Sequence, residues 1–150
     1  MAIADTEFFQ RRWLFALGWS VDVDIKRARI MVIEDERVMS AFILGTLRRI
    51  GILDLFAYED GAAALREVAK VKPDLILTDI HMQPMGGIDF VRQMRALSNN
   101  QISNIPVIFL SADSSKATVG EAMSLGVSGY LVKPPSLEAL ANKIEVALRD

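Results

Sequence analysis

A chain of 150 residues, 51% hydrophobic and 24% charged, has the length and balance of one globular domain with a full core. Its net charge of −2 offers no electrostatic case for nucleic-acid binding, and the absence of cysteine removes disulfides and thiolate metal sites. No apolar run approaches bilayer-spanning length, and the sequence holds neither repeats nor low-complexity tracts.

Residues 1–28 precede the first strand signal. Thr6 is a candidate cap for a short helix over 6–18, made strongly apolar by Phe8, Phe9, Trp13, Leu14, Phe15 and Leu17. Both tryptophans, Trp13 and Trp19, fall in this stretch. Arg11-Arg12 ahead of an apolar run has the outline of a twin-arginine export signal. The run is too short, however, Asp5 and Glu7 precede it, and no small-residue cleavage site follows. An aromatic helix of this kind needs a hydrophobic partner: its own domain, a second copy in a homodimer, or a membrane surface. A docked or dimer-forming helix is the expectation, against the plainer reading of a loosely packed extension.

From residue 29 the pattern becomes regular. The run Arg29-Ile30-Met31-Val32-Ile33 predicts a first strand closing on Glu34 and Asp35. A helix over 36–49 follows, with Val38, Phe42 and Leu47 at helical spacing, and Gly51 stops it. A second strand over 53–58 leads to a helix capped by Asp60 and running to 71. The third strand, Leu75-Ile76-Leu77-Thr78, closes on Asp79 and precedes a helix over 87–97. A polar linker over 98–104 introduces the fourth strand, Pro106-Val107-Ile108-Phe109-Leu110, which closes on Ser111. The helix after it, over 115–125, contains Gly120 and few large apolar residues, so it should be weakly held. The fifth strand, Tyr130-Leu131-Val132, closes on Lys133. Ser136 then caps a last helix with the stripe Leu137, Leu140, Ile144 and Leu148.

Short β-branched runs alternating with helices read as an α/β fold, a doubly wound five-stranded parallel sheet with order 2-1-3-4-5. Parallel strands end at one edge of the sheet, where ligands of such folds bind. Three acids, a hydroxyl and an ammonium, distant in sequence, are thus expected to meet in one pocket. Gathered carboxylates repel, and a divalent cation or a basic side chain relieves them. A hard oxygen site with few protein ligands suits Mg²⁺. Asp79, the best-placed acid, could then act as a nucleophile and form an aspartyl phosphate, with Lys133 and the Ser111 hydroxyl stabilising the transferring group. Any one of these residues alone reads as a cap or a solvated loop residue. The joint placement of five matched groups on four strand ends is what points to phosphoryl transfer.

The dispersed motifs Val32-Ile33-Glu34-Asp35-Glu36, Asp60-Gly61-Ala62-Ala63-Ala64-Leu65 and Pro73-Asp74-Leu75-Ile76-Leu77-Thr78-Asp79 continue with Pro106-Val107-Ile108-Phe109-Leu110-Ser111-Ala112 and Gly129-Tyr130-Leu131-Val132-Lys133-Pro134. In this order they resemble the receiver domain of the two-component response regulators, of the single-domain type typified by the chemotaxis regulator. The resemblance covers 29–150 and leaves 1–28 as an N-terminal extension. It implies a flavodoxin-like receiver fold in which Asp79 accepts a phosphoryl group from a sensor histidine kinase or a histidine phosphotransfer protein. Asp35 is implied as a direct Mg²⁺ ligand, with Glu34, Asp79 and the His81 backbone carbonyl completing the protein's share. Ser111 and Lys133 are implied to stabilise the phosphoryl group, and Ser111 with Tyr130 to form the switch. Pro134 matches a proline that in the family often follows a cis peptide. The resemblance further implies a cytoplasmic phosphoprotein that binds a downstream target. Its output face would include Lys116, Glu121, Ser124, Tyr130 and Asn142. No DNA-binding output domain and no enzymatic turnover are expected beyond self-catalysed phosphorylation and dephosphorylation.

The sequence departs from the family after Asp79. The usual Met-Pro, any residue, Met-Asp-Gly is here Met82-Gln83-Pro84-Met85-Gly86-Gly87, which moves the proline and replaces the acid with glycine. His81 and Asp113, two places beyond Asp79 and Ser111, occupy positions that tune hydrolysis in the family. His81 is the only histidine and reads first as an exposed loop imidazole. Two rival functions are weaker. A phosphatase of the haloacid dehalogenase type would carry a second aspartate where His81 stands, and a degenerate receiver would lack an acid, the hydroxyl or the lysine.

Overall fold

The computed structural model describes residues 24–149. The helix expected over 6–18 and the Arg11-Arg12 pair lie outside those residues. The described chain enters through a 3-10 turn, Ile25–Arg27, where the Asp24 carboxylate accepts from the Lys26 amide at 3.2 Å. There follow β1 (Arg29–Ile33), α1 (Arg37–Ile50), β2 (Asp54–Tyr58), α2 (Gly61–Val71), β3 (Leu75–Asp79) and α3 (Gly87–Arg95). The chain continues through β4 (Val107–Ser111), α4 (Lys116–Met123), β5 (Gly129–Val132) and α5 (Leu137–Arg149). The strands form one five-stranded sheet in the order β2-β1-β3-β4-β5, every neighbouring pair parallel, as expected.

The period of two along each strand divides the interior into two cores. Met31, Ile33, Ile76, Val107 and Phe109 pack with Ala64 and Val68 of α2, Phe90, Val91 and Met94 of α3, and Ala122 of α4. Ile30, Val32, Leu75, Leu77, Ile108 and Leu110 pack on the opposite side with Ile43, Leu47 and Ile50 of α1 and Leu140, Ala141, Ile144 and Ala147 of α5. Ile25 and Ala28 join this second core. Full burial of such side chains contributes about 1.5–3 kcal/mol each, so these two layers hold the sheet rigid beneath the loops. β3 and β4, in the middle of the sheet, are buried at every position.

Local signals place the helix ends. Gly51 closes α1 at φ 107°, its N–H donating to the Leu47 and Arg48 carbonyls. Asp60 caps α2 by accepting from the Ala63 amide at 3.0 Å, and the Ser136 hydroxyl accepts from the Ala139 amide at 3.1 Å at the head of α5. The Lys133–Pro134 peptide is cis, and so is Gln83–Pro84.

Two expectations need correction. Val38 and Phe42 are not core residues of α1: they are 77% and 46% exposed. The buried stripe runs one position later, through Ile43, Thr46, Leu47 and Ile50, because β1 and α5 meet that face. The linker over 98–104 is not wholly irregular: Asn100–Ser103 forms one helical turn, capped by the Asn99 side chain accepting from the Gln101 amide at 3.0 Å. Ile102 anchors that turn in the core, and the Arg95 guanidinium ties it to α3 by donating to the Ser103 and Ile105 carbonyls. α4 buries only Ala122, in keeping with its lack of large apolar residues.

Candidate functional site

Because all five strands are parallel, the residues that close them share one edge. Glu34 and Asp35 follow β1, Asp79 ends β3, Ser111 ends β4, and Lys133 follows β5. Register aligns Asp79 with Leu110 and Ser111 with Val132, so the four strand ends step across the sheet within a residue of one another.

The three acids come together: Glu34, Asp35 and Asp79 each offer a carboxylate oxygen within 4.8 Å of the others. Glu34 and Asp79 are buried, whereas Asp35 faces outward. The Lys133 ammonium donates to Glu34 Oε1 and lies 3.3 Å from Asp79 Oδ2. Backbone amides hold the other carboxylate oxygens, Ile80 donating to Asp79 Oδ1 at 2.8 Å and Asp35 to Glu34 Oε2 at 3.1 Å. Burial, and to a lesser degree the charge on Asp79, pushes the Glu34 carboxyl up to about 7, against the downward pull of Lys133. For Lys133, burial works against the ammonium, but Glu34 and Asp79 outweigh it and hold its pKa above the usual value. Burial thus makes Glu34 reluctant to ionise even beside the Lys133 ammonium.

Ser111 is fully buried, and its Oγ accepts from the Asp113 amide at 3.1 Å. Tyr130, half-buried on β5, donates its hydroxyl to the Asp113 carbonyl. The Asp113 side chain is a hub: Oδ1 accepts from the Ser115 amide at 2.9 Å, and Oδ2 accepts from the Thr118 hydroxyl at 2.8 Å. Those donors, the Ser115 amide foremost, hold its carboxyl well below the usual carboxylate range. His81 Nε2 stands 3.3 Å from Asp113 Oδ2, so the two positions expected to tune hydrolysis touch across the mouth of the pocket. The His81 side chain is otherwise exposed, on a cleft of about 410 Å³ shared with Asp35, Met82, Gln83, Pro84 and Asp89. A larger cavity, about 620 Å³, opens at the opposite, N-terminal edge of the sheet, far from the acids.

Glu34, Asp35, Asp79, His81, Ser111, Asp113 and Lys133 lie on or just beyond this edge, whereas Tyr130 sits inside β5, level with Phe109, and meets the site only through its hydroxyl. Two further contributors were not anticipated. Thr118 completes the Asp113 hub; its only signal was its place three residues after the Ser115 cap, whose hydroxyl donates to Thr118 Oγ1 at 2.9 Å. Gly87, the first residue of α3, lets that helix pack against the site's backbone: a Cβ there would stand 2.0 Å from the Asp79 carbonyl oxygen. The altered loop is nonetheless tied down, Gly87 N–H donating to the Ile80 carbonyl at 2.9 Å and Gly61 N–H to Met85 at 2.9 Å.

Comparisons with known proteins bear on this geometry. The sequence profile of the response regulator receiver domain matches residues 30–145. The chain is 34% identical over 121 residues to chemotaxis protein CheY1 of Helicobacter pylori strain J99, covering 80% of this chain and 96% of the relative. It is 32% identical over 117 residues to chemotaxis protein CheY of Pseudomonas aeruginosa, with 78% and 93% covered. It also matches the DNA-binding response regulator MtrA of Mycobacterium tuberculosis, 31% identical, but spans only 53% of that protein. Among solved structures, chemotaxis protein CheY4 of Vibrio cholerae superposes with a TM-score of 0.73 at 27% identity, over 81% of this chain and 99% of that one. The chain belongs to the response regulator receiver domain family of two-component signalling.

Proposed function

We propose that this protein is a stand-alone response regulator whose receiver domain, over 29–150, accepts a phosphoryl group on Asp79 from a histidine kinase or a histidine phosphotransfer protein. The observation that carries the reading is the part-buried lysine between Glu34 and Asp79, with Asp35 completing a three-carboxylate cluster beside it. An Asp79 carboxylate oxygen attacks the phosphorus of a phosphohistidine; the O–P bond forms as the N–P bond breaks, and the electron pair leaves with the imidazole nitrogen. Lys133 neutralises the equatorial oxygens, and the Ser111 hydroxyl donates to one of them once it leaves the Asp113 amide. Tyr130 then exchanges its bond to the Asp113 carbonyl for an inward position, which changes the face made by α4, β5 and α5. A partner target reads that face, or the group is passed onward.

The acids fit a divalent cation on the structure's own terms. Three oxygen donors stand within reach of one ion, and these like-charged groups face a single ammonium, that of Lys133, among the described residues. Asp35, Asp79, Glu34 and the His81 carbonyl would hold Mg²⁺, which supplies charge neutralisation during transfer. The reading includes hydrolysis of the aspartyl phosphate with no separate substrate, and a cytoplasmic setting.

Beryllofluoride, a mimic of the bound phosphoryl group, tests it. With Mg²⁺ present, heteronuclear NMR shifts should appear at Asp79, Ser111, Tyr130 and along α4 in the wild type and be absent in Asp79→Asn. Shifts that survive in Asp79→Asn, or their absence from the wild type, contradict the reading.

A further inference from the structure

One buried ionisable group has no part in the strand-end chemistry. Glu145 on α5 is only 3% exposed, yet neither carboxylate oxygen meets a hydrogen-bond donor among the described residues. A buried acceptor left in that state is destabilising, and more so when ionised. One turn away on the helix stand Ala141, Asn142, Leu148 and Arg149; Ala141 and Leu148 are apolar, Arg149 is exposed, and the half-buried Asn142 donates nothing to Glu145. Burial pushes the Glu145 carboxyl up, and Arg149 offsets only part of that.

Three observations say where a partner comes from. The described chain begins at Asp24, and the turn that follows packs on α5, Ile25 and Ala28 sharing a core with Ala141, Ile144 and Ala147. Residues 1–23 thus join the domain beside the helix that carries Glu145. Their only side-chain cations are Arg11 and Arg12, set among Phe8, Phe9, Trp13, Leu14 and Phe15. The twelve residues from Arg12 to Asp24 reach about 18 Å as helix and about 40 Å extended, enough to return along α5 in either form. Next to Glu145, Val146 is 37% exposed.

We propose that residues 1–23 dock along α5, with Arg11-Arg12 supplying the cation that Glu145 lacks and the adjacent aromatic side chains covering the helix. The guanidinium fork suits a buried carboxylate better than an ammonium does, because it offers two parallel donors.

Both tryptophans belong to this segment, so intrinsic tryptophan fluorescence reports on it alone. Emission and acrylamide quenching are read on the full chain for the wild type, Glu145→Gln, Arg11→Gln/Arg12→Gln and their combination, at low and high protein concentration. The wild type should emit blue-shifted and protected at both concentrations. Glu145→Gln and the arginine pair should each move emission to the red and raise the quenching constant about twofold, as a charge-assisted contact is lost. Their combination should add little, since both remove one interaction. The arginine variants leave the sequence of α5 unchanged and keep the test sharp if Glu145→Gln disturbs that helix. Free-indole emission in the wild type, or unchanged emission in both variants, overturns the proposal. A blue shift that builds with concentration also overturns it, because the occupant of the segment is then a second copy.

Discussion

At the scale of single residues, charge balance governs the strand-end site. Lys133 is the one cation within the buried acid cluster among the described residues, and it sits closer to Glu34 than to Asp79. Replacing it should therefore act on transfer more than on folding, because Glu34 can neutralise itself by taking up a proton. Lys133→Ala should slow phosphoryl acceptance from acetyl phosphate about 100-fold while the circular dichroism stays that of the wild type. An unchanged rate would remove Lys133 from the mechanism. The raised Glu34 pKa makes a separate claim on stability. Its folded value, about 7, lies above its ordinary 4.5, so between those values the folded state binds more protons than the unfolded state. Stability must then fall as pH rises through that window, the reverse of an ion-paired carboxylate with a depressed pKa. In metal-free protein the melting temperature should be lower at about pH 8 than at about pH 5, and Glu34→Gln should flatten this slope. An equal slope in Glu34→Gln would assign the effect to other groups.

At the scale of elements, two glycines on helices have opposite meanings. Gly87 opens α3 where a methyl would overlap the Asp79 carbonyl oxygen, so Gly87→Ala has to push α3 away from the site. It should cost about 2 kcal/mol or more in urea unfolding. Gly45 lies inside α1 with nothing within 4 Å of its missing Cβ, so Gly45→Ala should stabilise the domain by about 0.5–1 kcal/mol. Similar effects from the two would show that contact with the Asp79 backbone is not what selects glycine at 87. α4 differs from its neighbours in another way. It buries Ala122 alone and is held at its head by polar contacts from Ser115 and Thr118 to Asp113. Hydrogen exchange should find its amides opening far more readily than those of α1 or α5, and Thr118→Val should speed that exchange while Thr118→Ser preserves it. Protection of α4 equal to that of α5 would contradict the movable role proposed for it.

At the scale of the whole molecule, parallel strand ends made the site legible before any coordinates. A run such as Leu75-Ile76-Leu77-Thr78-Asp79 shows both its burial and its final residue, and topology brings those final residues together. Phase was harder to read than type. α1 was recognisable as a helix, but Val38 and Phe42 looked as apolar as Ile43 and Leu47, and only packing against β1 and α5 selects the buried pair. The turn at Asn100–Ser103 was masked by its polar composition, with Ile102 as its one anchor. The Asp113 hub and the clearance at Gly87 depend on how two loops fold over the pocket, which no local pattern encodes.

Intact mass after incubation with Mg²⁺ and acetyl phosphate, beside an Asp79→Asn control, tests phosphorylation of Asp79 itself. A single phosphoryl adduct is expected on the wild type, absent without Mg²⁺ and absent from Asp79→Asn. An adduct that persists in Asp79→Asn, or none on a wild type that also fails to bind beryllofluoride, would contradict it.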